Sequence, residues 1–435
     1  MKISVIGMGY VGLTTAVCLA DIGNEVVGVD SNIEKIKQIN NGVIPFFEPQ
    51  LGEILNRNIN NNLNFIDDIE KAIKDSDIMF ITVGTPISET GEVDTSQIYE
   101  VVQSIGKYIN GYKVIVTKST VPIGMNNKII NILKNEIKVQ HNFDVVSNPE
   151  FLREGSAVVD MFNMDRVVIG SNCKKAIEIV QEIYKPFDTK FLITGFETAE
   201  MIKYASNAFL ATKISFINEI ANLCEKVNAD VLSVAMGMGM DRRIGTEFLK
   251  AGVGYGGSCF HKDINALVNI SKMVNADLEI AATAERVNNN QRKKIVQKIE
   301  KILENDVRDK TATILGITFK ANTDDIRCAP SIDIIKMLKE MKMRIKVYDP
   351  IVNKEQLKEL GDIVFCKNVY ESLEGTDVAI VLTEWDEFKN IDWEKAKKIM
   401  NQKIIIDGRN IYSLNEIKEI IKLGYKYNGV GRNIV

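Results

Sequence analysis

Residues 2–30 have the sequence KISVIGMGYVGLTTAVCLADIGNEVVGVD, and this stretch decides the fold. The β-branched, apolar run over residues 2–7 predicts a buried strand. Apolar residues then recur with helical spacing from about Val11 to Ile22, and residues 25–30 predict a second strand. Because the crossover is short and helical, the two strands are expected to be parallel neighbours in one sheet.

Three glycines occupy the turn between the first strand and the helix, in the pattern Gly7-x-Gly9-x-x-Gly12. Gly7 allows the tight turn, Gly9 lets the backbone approach a pyrophosphate, and Gly12 lets helix and strand pack closely. The free N–H groups of the helix N-terminus then face the phosphates. In this strand–turn–helix context the pattern predicts a dinucleotide site.

Asp30, at the end of the second strand, indicates which dinucleotide binds. An aspartate there accepts hydrogen bonds from a ribose 2′-hydroxyl and repels a 2′-phosphate, so NAD is favoured over NADP. Lys35 lies close enough to weaken that preference. Two alternatives remain: FAD, which uses the same glycines but for which the chain lacks further flavin-type segments, and a packing motif with no ligand.

The alternation of strands and helices continues along the chain, with strand-like runs at 77–84, 113–120, 144–150 and 166–170. These runs are apolar nearly throughout, which suits a sheet covered on both faces. The segments VGTP (83–86) and KSTVP (118–122) end two of them, where cofactor contacts are expected. The asparagine-rich residues 56–64 predict an exposed loop.

The pattern changes near Phe196. Residues 197–230 contain no glycine or proline, and helical periodicity continues to about Asn305, interrupted by a glycine-rich stretch. Strand–helix alternation then resumes, with strands at 311–319, 344–350, 376–385 and 403–408 and a helix at about 331–342, without a second GxGxxG. The sequence therefore predicts an α/β protein with two doubly wound Rossmann-like domains, 1–196 and 301–435, joined by a helical central segment, 197–300, that contains a long helix.

Composition excludes several classes of function. A net charge of −4 over 435 residues gives no broad electrostatic reason to bind nucleic acid or membranes, and no apolar run is long enough for a membrane span. The six cysteines lack CxxC spacing, which argues against a zinc site or disulfide framework and is typical of the reducing cytoplasm. With two histidines in the chain, lysine, carboxylate and thiolate chemistry must be considered.

Three stretches hold residues able to carry chemistry: NPEFLREG (148–155), EMIKYASNAF (200–209) and GVGYGGSCFHKD (252–263). Each also has an ordinary structural interpretation. Glu150 could pair with Arg153, Lys203 and Asn207 could form a solvated helix face, and Cys259 could be inert.

Together with the dinucleotide motif, these stretches, KSTVP and GITFKANTDDIRCAPS (316–331) resemble the UDP-glucose/GDP-mannose dehydrogenase family, and within it the UDP-glucose 6-dehydrogenases. The resemblance runs from the first strand to the end of the chain. It implies a two-step, four-electron oxidation of the C6 alcohol of UDP-glucose to UDP-glucuronate, with two NAD reduced and no aldehyde released. It also implies a cytoplasmic homodimer whose product supplies polysaccharide synthesis.

The resemblance assigns roles to residues of the three stretches. Cys259 would be the nucleophile that forms a thiohemiacetal and then a thioester, and Lys203 and Asn207 would stabilise the oxyanion. Asp263 would assist proton transfer or hold Lys203. Thr120 and Glu150 would position a water molecule.

The resemblance also implies binding residues. NAD contacts beyond the three glycines would come from Val11, Asp30, Lys35, Thr85, Thr120, Glu154, Lys262 and Arg327. Substrate contacts would come from Glu150, Phe151, Leu152, Arg153, Glu154, Lys203, Asn207, Phe248, Leu249, Lys250, Ala251, Gly252, Gly256 and Lys320, with Arg243 reaching the sugar of a neighbouring subunit.

His261 departs from the pattern, because many bacterial relatives have proline there. Its side chain could be exposed, or it could contact the Cys259 thiolate and favour its ionisation. Alternatives for the whole chain are the oxidation of GDP-mannose or a UDP-N-acetylhexosamine, a one-step hydroxy-acid dehydrogenase, and a non-catalytic NAD-sensing or scaffold protein. A one-step hydroxy-acid dehydrogenase would need no cysteine and would lack the second α/β domain. The joint presence of Cys259, Lys203, Asn207 and Asp263 argues against the non-catalytic protein.

Overall fold

The computed structural model describes residues 1–88, 92–137 and 142–432. The chain divides into two compact units, Met1–Ser206 and the residues from Asn207 onward.

The first unit alternates strands and helices. Its elements are β1 (Lys2–Ile6), α1 (Tyr10–Asp21), β2 (Glu25–Val29), α2 (Ile33–Asn40), α3 (Leu51–Asn58), β3 (Leu63–Ile66), α4 (Ile69–Asp75), β4 (Ile78–Ile81), α5 (Ser96–Tyr108), β5 (Lys113–Thr117), α6 (Met125–Glu136), β6 (Phe143–Ser147), α7 (Ala157–Phe162), β7 (Val167–Gly170), α8 (Lys174–Tyr184), β8 (Phe191–Thr194) and the start of α9 (Phe196–Val227).

The eight strands form one sheet in the order β3-β2-β1-β4-β5-β6-β7-β8. Ile3 of β1 aligns with Val26 of β2 and with Ile78 of β4, and the pairings are parallel except that β7 runs antiparallel to β6. Alternate residues of β4 belong to different buried clusters: Phe80 to one and Met79 to the other. Helices therefore cover both faces of the sheet, as a doubly wound fold requires.

The second unit begins within α9 and has a helical part followed by a smaller sheet. Its further elements are α10 (Val231–Gly239), α11 (Ser258–Met273), α12 (Glu279–Ile302), β9 (Thr311–Leu315), α13 (Pro330–Glu340), β10 (Arg344–Tyr348), β11 (Val364–Phe365), α14 (Val369–Leu373), β12 (Val378–Val381), α15 (Asp386–Lys389), α16 (Trp393–Ala396), β13 (Ile404–Asp407), α17 (Leu414–Lys422) and β14 (Lys426–Gly429). The sheet order is β11-β10-β9-β12-β13-β14, and all neighbours are parallel.

The first turn of the second sheet repeats the geometry of the first. Gly316 follows β9 with φ 89° and donates its N–H to Tyr348 O at 2.9 Å, as Gly7 follows β1 with φ 102° and donates to Val29 O at 2.7 Å. Asp349 matches Asp30 in position, but its buried carboxylate already accepts backbone N–H bonds from Ile317 at 2.8 Å and from other residues of the loops around it. The Asp349 carboxylate is enclosed by protein, whereas the side chain of Asp30 stays partly exposed, and this suits a domain without a dinucleotide motif.

The predicted fold class is confirmed: both sheets are Rossmann-like and α9 is one long helix. Some local expectations were wrong. The loop expected at 56–64 includes the end of α3 and the first residues of β3, and β8, β11 and β14 were not predicted. These strands are short or carry polar residues on one face, so their apolar signal is weak. No helix in the described part of the chain is long and apolar enough to cross a membrane.

Candidate functional site

The three glycines of the fingerprint turn, Gly7, Gly9 and Gly12, have different surroundings. A Cβ on Gly12 would lie 1.8 Å from Gly7 O, and one on Gly7 would lie 2.9 Å from the Val83 backbone. A Cβ on Gly9 would meet nothing within 4 Å. Gly9 is also the N-cap of α1 and provides no side-chain cap. Gly7 and Gly12 are thus required for packing, while Gly9 borders open space at a helix N-terminus, which fits a pyrophosphate.

Hydrogen bonds fix the carboxylate of Asp30 at the end of β2. Its Oδ2 accepts the Met8 N–H at 2.8 Å and the Lys35 ammonium at 2.8 Å, and its Oδ1 accepts the Asn32 N–H at 2.9 Å. Burial opposes ionisation, but these donors outweigh it and hold the pKa of Asp30 below its ordinary value. The effect of Lys35 on the preference for NAD was left open by the sequence; in the structure its ammonium forms an ion pair with the Asp30 carboxylate. The ionised carboxylate fits the ribose of NAD.

The loops that follow β4 and β5 are joined by hydrogen bonds. Thr85 Oγ1 donates to Thr120 O at 2.9 Å, and Ser119 Oγ donates to Val83 O at 2.7 Å. Val11, in the first turn of α1, and Thr120 are both half-buried. These expected cofactor residues therefore lie at the carboxyl edge of the first sheet, close to the fingerprint turn.

Glu150 and Lys203 form a buried ion pair in the first unit. Lys203 Nζ lies 2.8 Å from Glu150 Oε1, and the side chains are 5% and 7% exposed. Glu150 Oε2 accepts the Leu152 N–H at 2.6 Å. Burial alone would raise the pKa of Glu150, but Lys203 and the Leu152 N–H reverse the effect and lower it. Glu150 is therefore an ionised carboxylate fixed against a buried ammonium.

Arg153 does not pair with Glu150, the ordinary structural interpretation of this segment. Its guanidinium binds Asp160 at 2.6 Å and lies largely in solvent. Phe151, Leu152 and Glu154 of the same loop are half-buried, and the Arg166 guanidinium lies 3.8 Å from the centre of the Phe151 ring.

Two first-unit residues that matter for this loop were missed from sequence. The Glu48 carboxylate accepts the Gly155 N–H at 2.6 Å and the Ala157 N–H at 2.7 Å, and it also accepts the Tyr10 hydroxyl. Tyr10 directly follows Gly9, so the fingerprint turn and the loop after β6 are joined through Glu48. The sequence signal was weak, because Glu48 lies in a segment without periodicity.

Lys118 was also missed. Its ammonium is buried and donates to Tyr184 Oη at 3.0 Å and to Asn148 Oδ1 at 3.3 Å, and its charge helps to lower the pKa of Glu150. A lysine directly after a buried strand was the signal that could have identified it.

In the second unit, Asn207 and Asp263 are hydrogen-bonded. Asn207 Nδ2 donates to Asp263 Oδ2 at 2.6 Å, and Lys262 Nζ donates to Asp263 Oδ1. Asp263 is 1% exposed and Asn207 6%. The ordinary alternative, a solvated helix face, is therefore not found. Asn207 is a buried amide that orients a buried carboxylate, and Lys262 pairs with the same carboxylate.

Cys259 is the second residue of α11 and is exposed. The glycines before it are packed against protein: a Cβ on Gly256 would lie 2.6 Å from Cys328 O, 2.8 Å from Pro330 Cδ and 2.9 Å from Phe319 Cβ. Gly257 is the N-cap with φ 83°. The glycines thus allow the chain to turn sharply into α11 and present Cys259 in its first turn.

The expected substrate loop, Phe248–Gly252, is anchored by two buried side chains and by hydrogen bonds to Gly252. Phe248 has φ 62°, Leu249 and Ala251 are buried, and Lys250 is exposed. Gly252 N donates to Asn218 Oδ1 at 2.8 Å, and Gly252 O accepts Gln291 Nε2 at 3.0 Å.

The remaining expected cations are near the surface. Arg243 pairs with Asp241 and its side chain is 85% exposed, and Arg327 pairs with Asp325 at 2.7 Å and is 62% exposed. Lys320 is half-buried, with its ammonium 5.5 Å from the centre of the Phe319 ring.

His261 is not exposed, contrary to the first of the two expectations. Its side chain is 13% exposed and its Nδ1 lies 2.6 Å from Glu285 Oε1. All six cysteines lie in the described residues, and none forms a disulfide. Within those residues no cluster of three or more histidine, cysteine or carboxylate side chains could hold a metal ion.

Comparison with known families covers most of the chain. Residues 1–188 match the NAD binding domain of the UDP-glucose/GDP-mannose dehydrogenase family, residues 197–290 its central domain, and residues 313–414 its UDP binding domain.

Individual relatives agree. UDP-glucose 6-dehydrogenase TuaD of Bacillus subtilis is 48% identical over 100% of this chain and 94% of its own length. UDP-glucose 6-dehydrogenase YwqF of the same organism is 45% identical over 100% and 98%. The solved structure of a UDP-glucose dehydrogenase from the archaeon Pyrobaculum islandicum superposes with a TM-score of 0.91, at 33% identity over 99% of this chain and 98% of that one. The chain belongs to the UDP-glucose/GDP-mannose dehydrogenase family and is an NAD-dependent oxidoreductase.

Proposed function

We propose that the protein oxidises the C6 alcohol of UDP-glucose twice, giving UDP-glucuronate and two NADH. One observation carries the proposal. The chain has Lys203, Asn207, Asp263 and Glu150 buried and hydrogen-bonded, together with Cys259, and its full-length relatives are named for this activity. The match of residues 313–414 to a UDP binding domain supports a uridine nucleotide as the carrier of the sugar.

The first oxidation removes a hydride from C6 and a proton from the C6 hydroxyl. NAD, when bound, supplies the hydride acceptor. Lys203 is a buried cation whose charge favours the developing alkoxide, and Glu150 holds it in place and, with Thr120, positions a water molecule that takes the proton. Asn207, as an amide donor, stabilises the same developing oxyanion in this proposal.

The second oxidation needs a nucleophile, because an aldehyde has no hydroxyl hydrogen to lose. The Cys259 sulfur adds to C6, forming a C–S bond while the aldehyde oxygen gains a proton. Loss of the second hydride from C6 and of that proton leaves a thioester. Water then attacks the thioester carbonyl, the C–S bond breaks, and the carboxylate and the free thiolate result. The first turn of α11 suits this sulfur, because helix N-termini stabilise negative charge.

Asp263 assists the proton transfers. Its carboxylate is buried and fixed by Asn207 and Lys262, so it can take or return a proton without reorganising. The other role expected of Asp263 was to hold Lys203, and Glu150 performs that role instead.

Binding residues follow the same proposal. NAD is bound by Gly7, Gly9, Val11, Gly12, Asp30, Lys35, Thr85, Thr120, Glu154, Lys262 and Arg327. The sugar nucleotide is bound by residues 150–154, Lys203, Asn207, residues 248–252, Gly256 and Lys320. These assignments divide the chain into NAD-binding, central and UDP-binding domains at 1–196, 197–300 and 301–435.

We also propose a homodimer built on α9. Phe209, Phe216 and Leu223 recur every seven residues and are 66%, 46% and 55% exposed. Such a heptad stripe is apolar surface that a second copy of the same helix can cover. The exposed Arg243 would reach the sugar bound by that copy. Six cysteines without a disulfide among the described residues support a cytoplasmic location.

The test is NADH formation with UDP-glucose, UDP-N-acetylglucosamine and GDP-mannose at equal concentrations. The proposal predicts the highest kcat/KM for UDP-glucose. A preference for either of the other two would place the chain in a different branch of the family.

A further inference from the structure

His261 lies in the first turn of α11, two residues after Cys259. Side chains at i and i+2 on a helix do not face each other, so the imidazole and the thiol project in different directions. The imidazole packs against the Tyr255 ring, with the ring centres 5.2 Å apart. Its Nδ1 lies 2.6 Å from Glu285 Oε1, and its Nε2 lies 3.0 Å from Arg292 Nη2. Both ring nitrogens are used, so neither remains for the Cys259 sulfur.

These two contacts determine where the imidazole proton resides. A guanidinium nitrogen can only donate, so Nε2 must be the acceptor in the contact with Arg292. Nδ1 must then carry the proton and donate it to Glu285, which as a carboxylate can only accept. The geometry therefore requires a neutral imidazole with its hydrogen on Nδ1.

The groups that hold His261 are themselves fixed. Glu285 Oε2 accepts the Tyr255 hydroxyl at 2.6 Å, while Arg292 donates to Tyr255 O at 3.2 Å and pairs with Asp333 of α13. Glu285 and Arg292 lie two turns apart, so they present one face of α12.

Tyr255 lies before Cys259 in the chain and His261 after it. Both are attached to the same face of α12, and the cysteine lies between them. We propose that His261 is a positioning residue: as the Nδ1-protonated imidazole it bridges Glu285 and Arg292 and so fixes the first turn of α11 and the direction of the Cys259 thiol. Its contribution to turnover rests on the proposed function of Cys259.

The variants His261→Phe and His261→Gln separate packing from hydrogen bonding. Phenylalanine keeps a ring against Tyr255 but has neither donor nor acceptor, whereas glutamine has one of each. A small displacement of a reacting group is costly, so we expect His261→Phe to lower kcat about tenfold or more with both KM values within about twofold. His261→Gln should recover kcat to within about threefold of the parent, because its amide can make both bonds. Lys293→Gln, at an exposed position of the same helix, is the matched control and should match the parent.

Two measurements test the bridge without turnover. In protein labelled with ¹⁵N-histidine, of which the chain has two residues, the signals absent from the His261→Gln spectrum belong to His261. They should show a protonated Nδ1 and an unprotonated Nε2 at pH 8. Iodoacetamide labelling of Cys259, followed by peptide mass spectrometry, should be slower in His261→Phe than in the parent.

Three results would overturn the proposal: a proton on Nε2, an unchanged or faster alkylation of Cys259, or a parent-like kcat in His261→Phe. If the protein oxidised no sugar nucleotide, the proposed function would fail, and the tautomer and alkylation results would still decide the bridge.

Discussion

At the scale of single residues, the buried ion pair of Glu150 and Lys203 is the feature on which the chemistry depends most. Two charges removed from water are tolerated because each compensates the other and Leu152 supplies a further donor. The pair is weak evidence for stability as such, since a well-packed apolar pair could replace it. Its retention in this form is better explained by the need for a fixed cation.

Removing one partner of the pair should therefore destabilise the folded state. We expect Glu150→Gln to lower the free energy of unfolding by about 3 kcal/mol or more, because the Lys203 ammonium stays buried without its counter-charge. Urea denaturation followed by circular dichroism measures this. Lys74→Gln, which breaks an exposed pair with Glu70, is the control and should produce no resolvable change. A parent-like midpoint for Glu150→Gln would contradict the account.

The Glu150–Lys203 pair also makes the free energy of unfolding depend on pH. Because the folded pKa of Glu150 is depressed, its ionisation stabilises the fold fully above the unfolded value of about 4.3. That stabilisation is lost as the pH falls through the lower, folded pKa. The difference in unfolding free energy between parent and Glu150→Gln should thus be constant near neutrality and shrink in acid. A difference that grew in acid would have the wrong sign.

Under the proposed function, Cys259 acts in the second oxidation. Cys259→Ser should leave the fold and the NAD affinity unchanged and form no UDP-glucuronate, because an alkoxide is a poor leaving group and a serine hydroxyl a weak nucleophile. Product analysis by chromatography and NAD titration measure both effects. Cys328→Ser, at another exposed thiol, should behave as the parent. Loss of NAD binding in Cys259→Ser would indicate a structural role instead.

At the level of elements, the glycines that precede or open helices serve different purposes. Gly12 and Gly256 admit no Cβ without collision with backbone, whereas Gly9 borders open space. The first two are demanded by packing of α1 and of the turn into α11. Gly9 alone of these three leaves room for a ligand.

The contrast predicts opposite effects of two alanines. Gly9→Ala should weaken NAD binding by about tenfold or more, because the methyl group occupies the space of the pyrophosphate, while the melting temperature stays within a few degrees. Gly12→Ala should lower the melting temperature strongly, because its Cβ would lie 1.8 Å from Gly7 O. Calorimetric titration with NAD and thermal melting separate the two. Equal NAD affinity in Gly9→Ala and the parent would remove the pyrophosphate from that turn.

The sequence predicted those elements whose signal is local and strong. The first strand, the fingerprint turn and α9 could be identified because apolar periodicity and glycine spacing depend on neighbours in the chain. β3 and β14 could not, since their polar residues give little apolar contrast and their place depends on strands far along the chain. For the same reason the residue types near Cys259 were predictable, but the partners of His261, which are 24 and 31 residues away on α12, were not.

At the scale of the whole molecule, the exposed stripe of Phe209, Phe216 and Leu223 predicts association. Light scattering should give a mass of twice 48.7 kDa for the parent. Phe216→Glu should shift the protein toward the monomer, because facing charges would be buried at the centre of the stripe. Lys226→Glu, at a charged position of the same helix, is the control. A parent of monomer mass would rule out the dimer and, with it, the role proposed for Arg243.

We propose that one active centre carries both oxidations through a covalent thioester. NADH formed per UDP-glucose consumed, measured with an aldehyde trap such as semicarbazide present, is the most direct check. The account predicts a ratio of two, UDP-glucuronate as the product and little trapped aldehyde. A ratio of one with free or trapped UDP-aldehyde would contradict it.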